Sequence, residues 1–282
     1  MAKKTLAIII ELMIVLACCQ PGSADTITIA ADPWMPYTGD GKNQNGFILD
    51  IAKEIFRESG HTVRYIVLPW ERAILSTREG KCDALASCFK TEAPDFIFPS
   101  NEQGVSTSEI FVRKAAPWTY SGINSLKSMR IGIISGYSYG PRVDSYIRAN
   151  KKNRNLVWVL VGEDALIKGL RMLNLGRIDA LIEDTRVVQY TSRQLNLSGE
   201  FTAAGKVMAP EKLWIGFSPA NAKSKTFAGI LSEGMVKIRQ SGRLDQILNK
   251  YGLSDWQGRH ANHLSHHRNS GSLPKNDCPI TP

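Results

Sequence analysis

Hydrophobic and polar residues recur along the chain in two periods, and these periods predict a series of short strands and helices. Residues 26–30 are β-branched and alternate with a period of two, which is typical of a strand. Apolar residues then recur at every third or fourth position from Gly46 to Gly60, which predicts a helix. The same criteria predict further strands at 63–68, 83–86, 110–113, 131–134, 156–161, 178–182 and 212–217, and further helices at 70–79, 141–149, 166–173, 185–195, 227–238 and 244–251. This alternation predicts an α/β fold rather than a helical bundle or a β-sandwich.

A six-residue pattern occurs twice and indicates two lobes. Residues 80–85 read Gly-Lys-Cys-Asp-Ala-Leu and residues 176–181 read Gly-Arg-Ile-Asp-Ala-Leu, and each joins a predicted helix to a predicted buried strand. The glycine suits the left-handed position after a helix. At 282 residues the chain also exceeds the usual length of one domain. We expect two lobes of similar construction, although helix–glycine–strand joints are common enough for the similarity to arise by chance.

The N-terminal residues predict export from the cytoplasm. Two lysines precede an apolar run at 6–17, and small residues follow it, which predicts a secretory signal peptide at 1–24. Cys18 approximates a lipoprotein processing site, so lipid anchoring at Cys18 is an alternative. No later segment has the roughly 18 apolar residues that span a bilayer. We therefore expect the mature chain in the periplasm, either soluble or tethered by a lipid.

The charge balance and the cysteines add little to this picture. The net charge falls from +9 to +8 once the two lysines and one glutamate of 1–24 are removed. A basic balance can indicate nucleic acid, a membrane surface or an anionic ligand, but an exported chain with dispersed basic residues is not expected to bind nucleic acid.

Cys82, Cys88 and Cys278 remain in the mature chain, and we expect the first two to be small buried residues. The histidine-containing tail at 258–282 is predicted to be disordered, and we predict no cofactor and no specific metal site.

Several segments, taken in order, resemble one known family. They are the first strand with Asp32, Trp34, Pro36 and Tyr37 after it, the helix start at Gly46-Phe47 with Asp50, the Gly-Lys-x-Asp-Ala segment, and residues 130–136 and 176–184. No single motif is specific, but their order and spacing over about 26–256 resemble the periplasmic solute-binding proteins of family 3. That family is linked mainly to amino-acid uptake by ABC transporters.

The resemblance implies a two-lobed clamp of the type II periplasmic-binding-protein class. Each lobe would be a mixed sheet flanked by helices, and two crossing strands would form a hinge. The implied division places lobe 1 at 25–113 and 212–257 and lobe 2 at 114–211. A ligand would then bind between the lobes and close them around itself.

The resemblance also implies a set of ligand-binding residues. Trp34 and Tyr37 would stack on the ligand, and Asp184 would receive a ligand ammonium group. The turn 136–138 would present N–H groups and a hydroxyl to an anion at a helix start, which the residues predict independently. The full predicted set is Asp32, Trp34, Tyr37, Trp70, Ser87, Lys90, Thr91, Gly136, Tyr137, Ser138 and Asp184. Two alternatives stay open, namely that Trp34 and Tyr37 cap a core and that Lys90 is a solvated surface residue.

One departure from the family pattern affects the expected ligand. Amino-acid binders of the family carry an arginine after the third strand that clamps the ligand carboxylate. Pro94 stands there in this chain, and the nearby Lys90 supplies a point charge rather than a planar fork. An amino acid or a related compound remains the favoured ligand class.

The sequence therefore predicts a receptor rather than an enzyme. We expect a monomer that binds a small polar solute and delivers it to an inner-membrane ABC permease. One alternative is a dehydratase-like enzyme on the same scaffold, with Glu183 or Asp184 as a general acid if burial raises its pKa. Another is a sensory module without a transporter.

Overall fold

Ten strands form two separate five-stranded sheets within residues 24–40 and 44–258, which are the residues that the computed structural model describes. The strands are β1 (Thr26–Ala31), β2 (Thr62–Val67), β3 (Ala84–Cys88), β4 (Gly104–Ser106), β5 (Ser108–Arg113), β6 (Ile131–Ile134), β7 (Val157–Leu160), β8 (Ala180–Asp184), β9 (Phe201–Lys206) and β10 (Glu211–Phe217). The first sheet has the order β2-β1-β3-β10-β4 and the second β7-β6-β8-β5-β9. The expected α/β architecture with two mixed sheets is confirmed.

Helices connect the strands of each sheet, as the apolar periodicity predicts. They are α1 (Phe47–Glu58), α2 (Trp70–Arg78), α3 (Pro141–Asn150), α4 (Ala165–Asn174), α5 (Thr185–Gln194), α6 (Ser224–Gln240) and α7 (Arg243–Asn249), with a short 3-10 helix at Ile123–Ser128. Two strands were not predicted from the sequence. β4 has only three residues, and β9 is a largely exposed edge strand with little apolar character. Within the described residues, no helix is both long and apolar enough to span a membrane.

The two sheets share one topology. In each, three parallel strands are followed by an antiparallel strand that arrives from elsewhere in the chain. The repeated sequence pattern occupies equivalent places in both. The Asp83 carboxylate accepts a hydrogen bond of 2.7 Å from the Thr28 N–H, and the Asp179 carboxylate accepts one of 2.8 Å from the Arg130 N–H. Each aspartate immediately precedes its own strand and ties it to the neighbouring parallel strand, at Thr28 within β1 and at Arg130 just before β6.

The described part of the chain crosses between the sheets twice. The first crossing is at Thr107, between β4 and β5, and the second lies at 207–210, between β9 and β10. The position of the first crossing differs from the expected lobe boundary at Arg113. Residues 108–113 belong to the second sheet because they pair with β8 on one side and β9 on the other.

The core of the first sheet includes a close helix–helix contact. A Cβ atom at Gly234 of α6 would lie 2.2 Å from Ile55 Cγ2 of α1, so only glycine permits this approach. Cys82 and Cys88 are buried and form no disulfide, as expected. The predicted signal peptide, Cys18, Cys278 and the tail histidines lie outside the described residues.

Candidate ligand site between the lobes

A small cavity lies where the carboxyl ends of β1, β3 and β8 approach each other across the two lobes. Its volume is about 30 Å³, the space of roughly two water molecules. The lining residues from the first lobe are Asp32, Trp34, Trp70, Ser87, Phe89 and Glu92, and those from the second lobe are Ser108, Tyr137, Ser138, Tyr139 and Glu183. Six of the predicted residues therefore line it: Asp32, Trp34, Trp70, Ser87, Tyr137 and Ser138.

The loop after β1 presents Trp34 to the cavity. Backbone hydrogen bonds close this loop, with the Trp34 N–H donating to the Thr38 carbonyl at 2.8 Å. The Trp34 ring stacks on Tyr37 with ring centres 4.4 Å apart. Tyr37 is fully buried and does not line the cavity. Tyr37 belongs to the core behind the Trp34 ring, so only Trp34 of this pair lines the cavity.

Tyr137 joins the two lobes across the cavity. Its ring meets Trp34 and Trp70 edge to face, with ring centres 6.4 Å and 6.0 Å apart. Its hydroxyl donates to the Asp32 carboxylate at 2.5 Å. A ring from the second lobe is thus held against two indoles and a carboxylate of the first.

Three carboxyl groups face the cavity, and burial raises the pKa of each. The pKa of Asp32 rises to about 6, although the hydrogen bond from Tyr137 opposes this increase. Burial raises the pKa of Glu183 to about 8, against the opposing hydrogen bonds from the Asp184 N–H and the Trp34 indole. Burial likewise raises the pKa of Glu92 to about 8, although the Phe89 N–H donates to its carboxylate at 2.9 Å.

Three polar side-chain atoms of residues that line the cavity have no hydrogen-bond partner among the described residues, and the first is the buried Trp70 Nε1. Glu183 Oε1 accepts from the Trp34 indole at 2.8 Å and from the Asp184 N–H at 2.7 Å, but its buried Oε2 accepts nothing. The buried Ser87 Oγ is also unpaired. Ser87 has a φ of +63°, a left-handed conformation that is rare for a residue with a side chain. Such strain concentrates at binding sites.

Asp184 is completely buried and does not line the cavity. Its Oδ1 caps α5 by accepting from the backbone N–H groups of Arg186 at 2.8 Å and Val187 at 3.2 Å. Its Oδ2 accepts from the Ser106 hydroxyl at 2.9 Å and the Thr107 N–H at 2.8 Å, which ties the first crossing to α5. Successive strand residues face opposite sides of a sheet, so Glu183 faces the cavity where Asp184 does not.

The turn 136–138 supplies its polar groups to another part of the chain. The Ser138 hydroxyl donates to Asp144 Oδ2 at 2.9 Å, and the Tyr139 N–H donates to Asp144 Oδ1 at 2.8 Å. The place expected for a ligand anion, at the start of α3, is thus filled by an aspartate of α3 itself. Gly136 does not line the cavity; a Cβ atom there would lie 2.4 Å from Glu71 Cγ of the other lobe.

Lys90 and Thr91 are exposed and do not line the cavity. The Lys90 ammonium lies 3.8 Å from the centre of the Trp214 ring and 5.4 Å from that of Phe98. No lysine or arginine is among the described residues that line the cavity.

Sequence reasoning missed four lining residues and considered a fifth only as a general acid. Phe89, Glu92, Ser108 and Tyr139 were not named, and Glu183 was. Glu92 lies two residues before Pro94, within the very run where a clamping arginine is expected. The position of Glu92 in this run was therefore a signal in the sequence, but the family pattern predicts only a cation there and not a carboxylate.

The model of the bacterial extracellular solute-binding proteins, family 3, matches residues 27–254. The chain belongs to this family. No curated protein matches it significantly. The family assignment agrees with the two mixed sheets, the two crossings and the cavity between the lobes.

Solved structures similar to this family 3 protein show the same fold. An ancestral arginine-binding protein bound to arginine matches with a TM-score of 0.66 and 18% identity over 81% of this chain and 98% of the other. A histidine kinase sensor domain matches with a TM-score of 0.65 and 19% identity over 80% of this chain and 95% of the other. AncCDT-1 is an ancestral amino-acid-binding protein described as a precursor of cyclohexadienyl dehydratase. It matches with a TM-score of 0.61 and 17% identity over 80% of this chain and 94% of the other.

Proposed function

We propose that this family 3 protein is a periplasmic, monomeric receptor that captures a small polar solute between its lobes and delivers it to an inner-membrane ABC transporter. The observation that carries the proposal is the cavity itself. Both lobes line it, and each contributes a buried acceptor without a partner, Ser87 Oγ from the first lobe and Glu183 Oε2 from the second. Buried polar atoms are ordinarily paired, and a bound solute would pair these two.

Capture requires the lobes to separate and close again. A cavity of about 30 Å³ holds no solute as large as an amino acid. Two contacts bridge the lobes beside it, from Tyr137 to Asp32 and from Trp34 to Glu183. A solute would enter when these contacts open, by rotation about Thr107 and 207–210, and would then be enclosed by both lobes.

The first test is a thermal-shift screen of the purified protein against amino acids, amines, organic acids and sugars, followed by calorimetry. A solute present at 100 times its Kd should stabilise the protein by about 2.7 kcal/mol and raise its Tm. Co-purification with a permease, and stimulation of its ATPase activity by the solute-loaded protein, would support delivery. Failure of every solute to bind would contradict the receptor proposal, and binding without a permease would favour a sensory role.

One observation favours an enzyme as the second candidate. Because the pKa of Glu183 is about 8, its carboxyl group carries a proton at neutral pH beside the cavity, as a general acid requires. Loss of water from a small hydroxy acid could use that proton. Turnover by the purified protein that disappears in Glu183→Gln would establish this function, and binding without turnover would exclude it.

A further inference from the structure

We propose that the solute is an organic cation bearing N–H donors, an alkylammonium or guanidinium compound. The site would recognise it through these donors and its positive charge, and would not require a carboxylate group on the solute. This inference rests on the proposed receptor function and specifies its ligand. It departs from the amino-acid ligand that the sequence favours. Four separate features of the cavity and its surroundings lead to it.

The first feature is the sign of the charge. Asp32, Glu92 and Glu183 line a cavity that no lysine or arginine of the described chain lines. A cation placed among them would favour their ionised forms and offset the free-energy cost of burying charge. An anionic group would have no countercharge there.

The second feature is the separation of these carboxyl groups. Within residues 24–40 and 44–258, no three histidine, cysteine, aspartate or glutamate side chains are close enough together to hold a metal ion. The carboxyl groups nevertheless surround one cavity. An organic cation, whose donors extend over several ångströms, fits this arrangement better than a single metal ion does.

The third feature is the aromatic wall. The rings of Trp34, Trp70 and Tyr137 meet edge to face around the cavity. The faces of such rings attract organic cations, and tryptophan does so most strongly. The unpaired acceptors Glu183 Oε2 and Ser87 Oγ add a preference for cations that carry N–H groups over fully methylated ones.

The fourth feature is that the two groups expected to bind a ligand carboxylate, the donors at the start of α3 and a clamping arginine, do not serve that purpose here. Asp144 already accepts the hydrogen bonds of the Ser138 hydroxyl and the Tyr139 N–H at the start of α3. Pro94 stands where a clamping arginine is expected, and the Lys90 ammonium lies on the Trp214 ring, outside the cavity lining. A carboxylate on the ligand would find neither site open.

The test uses amino acids and the amines they yield on loss of the carboxylate. The pairs are ornithine with 1,4-diaminobutane, lysine with 1,5-diaminopentane, and arginine with agmatine. Calorimetry on the full purified protein measures Kd for both members of each pair, with glutarate and a neutral sugar included. We expect at least one amine to bind as tightly as its amino acid or more tightly. Its fully N-methylated form should bind about tenfold more weakly or worse, because it lacks N–H donors.

A matched pair of variants tests the residues. Glu183→Gln removes the carboxyl group that a bound cation would ionise, but keeps the shape and the acceptor for the Trp34 indole. Glu200→Gln makes the same change at an exposed position of the second lobe, away from the cavity. We expect Glu183→Gln to weaken amine binding about tenfold or more and Glu200→Gln to leave it unchanged. Far-ultraviolet circular dichroism and Tm establish that both variants fold.

The outcomes separate this inference from the receptor proposal. Tighter binding of the amino acid than of its amine in every pair would overturn the inference, because the carboxylate must then be recognised. Binding of glutarate or the sugar alone would also overturn it. In either case the receptor proposal stands. Equal binding by the N-methylated amine would overturn the requirement for N–H donors, and no binding by any compound in the wider screen would contradict both proposals.

Discussion

Two buried acidic side chains lie next to each other at the carboxyl end of β8, and they differ in their hydrogen-bond partners. Asp184 accepts hydrogen bonds from two backbone N–H groups of α5, from the Ser106 hydroxyl and from the Thr107 N–H. Glu183, its neighbour in sequence, leaves one carboxylate oxygen without a partner at the cavity. Burial is nearly the same for both, at 0% and 2% exposure. The number of internal partners therefore distinguishes an acid that holds the fold together from one that is available to a ligand.

The largest expected effect is the loss of stability on replacing Asp184, whose carboxylate oxygens both have hydrogen-bond partners. Asp184→Ala should lower the free energy of unfolding by about 3 kcal/mol, because it removes the cap of α5 and leaves several buried donors unpaired. Urea denaturation of this variant and of Glu183→Gln provides the comparison. We expect Glu183→Gln to cost little stability, since it replaces a buried carboxyl group by an amide of the same shape that keeps the hydrogen-bond acceptor. Equal effects of the two substitutions would contradict the distinction.

The next effect is a pH dependence that the cavity acids should produce. The pKa values of Asp32 (about 6), Glu92 and Glu183 (both about 8) in the folded protein exceed the ordinary values of 3.8 and 4.5 for these residue types. The folded state therefore binds more protons than the unfolded state between about pH 4 and pH 8. The stability associated with these groups is present in full below about pH 4 and is lost as the pH rises through 6 and then 8.

This dependence can be measured as Tm from pH 5 to pH 8 at constant ionic strength. The groups that face these carboxyls across the cavity are Tyr137 and Tyr139, whose pKa values burial raises, so they stay neutral throughout this range. Glu102 is buried, but hydrogen bonds from the Trp256 and Gln257 side chains outweigh the effect of burial and lower its pKa to about 2, so it acts below the range. We expect Tm to fall with rising pH and to fall less in Glu183→Gln. A flat or rising profile would contradict the raised pKa values.

The smallest effect concerns the aspartate at the start of α3. Asp144→Ala should cost about 1 kcal/mol of stability, because the Ser138 hydroxyl and the Tyr139 N–H lose their acceptor. The freed donors should then bind an inorganic anion, so sulfate should raise the Tm of the variant more than that of the natural protein. Chloride at equal ionic strength is the control. The same sulfate response in both proteins would show that Asp144 does not occupy an anion site.

Much of the fold could be predicted from local patterns. Within residues 24–40 and 44–258, the seven α-helices and eight of the ten strands follow from apolar periodicity, and the repeated Gly-x-x-Asp-Ala-Leu pattern marks equivalent joints in the two sheets. The first crossing was misplaced because β5 continues as an apolar strand directly from β4 with only Thr107 between them. Which sheet such a strand joins depends on pairing with β8 and β9, which are far away in sequence.

The candidate site was predicted only in part, for a related reason. The aromatic residues Trp34, Trp70 and Tyr137 were named from loop position and family pattern, and all three line the cavity. The pair Glu183 and Asp184 was found, but the sequence does not show which of two successive strand residues faces the cavity. Glu92 was passed over because its environment depends on the lobe opposite.

The sequence by itself determined the alternation of strands and helices and the two equivalent helix–strand joints, because these depend on periodicity and turn residues that act over a few positions. The chain segments that supply the cavity were implied by the family resemblance. Only the tertiary structure decided which acidic side chains have all their hydrogen-bond partners within the protein and which line the cavity. Asp184 and Asp144 find their donors within the protein, whereas Glu183 retains a buried oxygen without one. Hydrogen-bond partners and burial arise from groups brought together by folding, and those groups set the pKa values and the charge of the cavity.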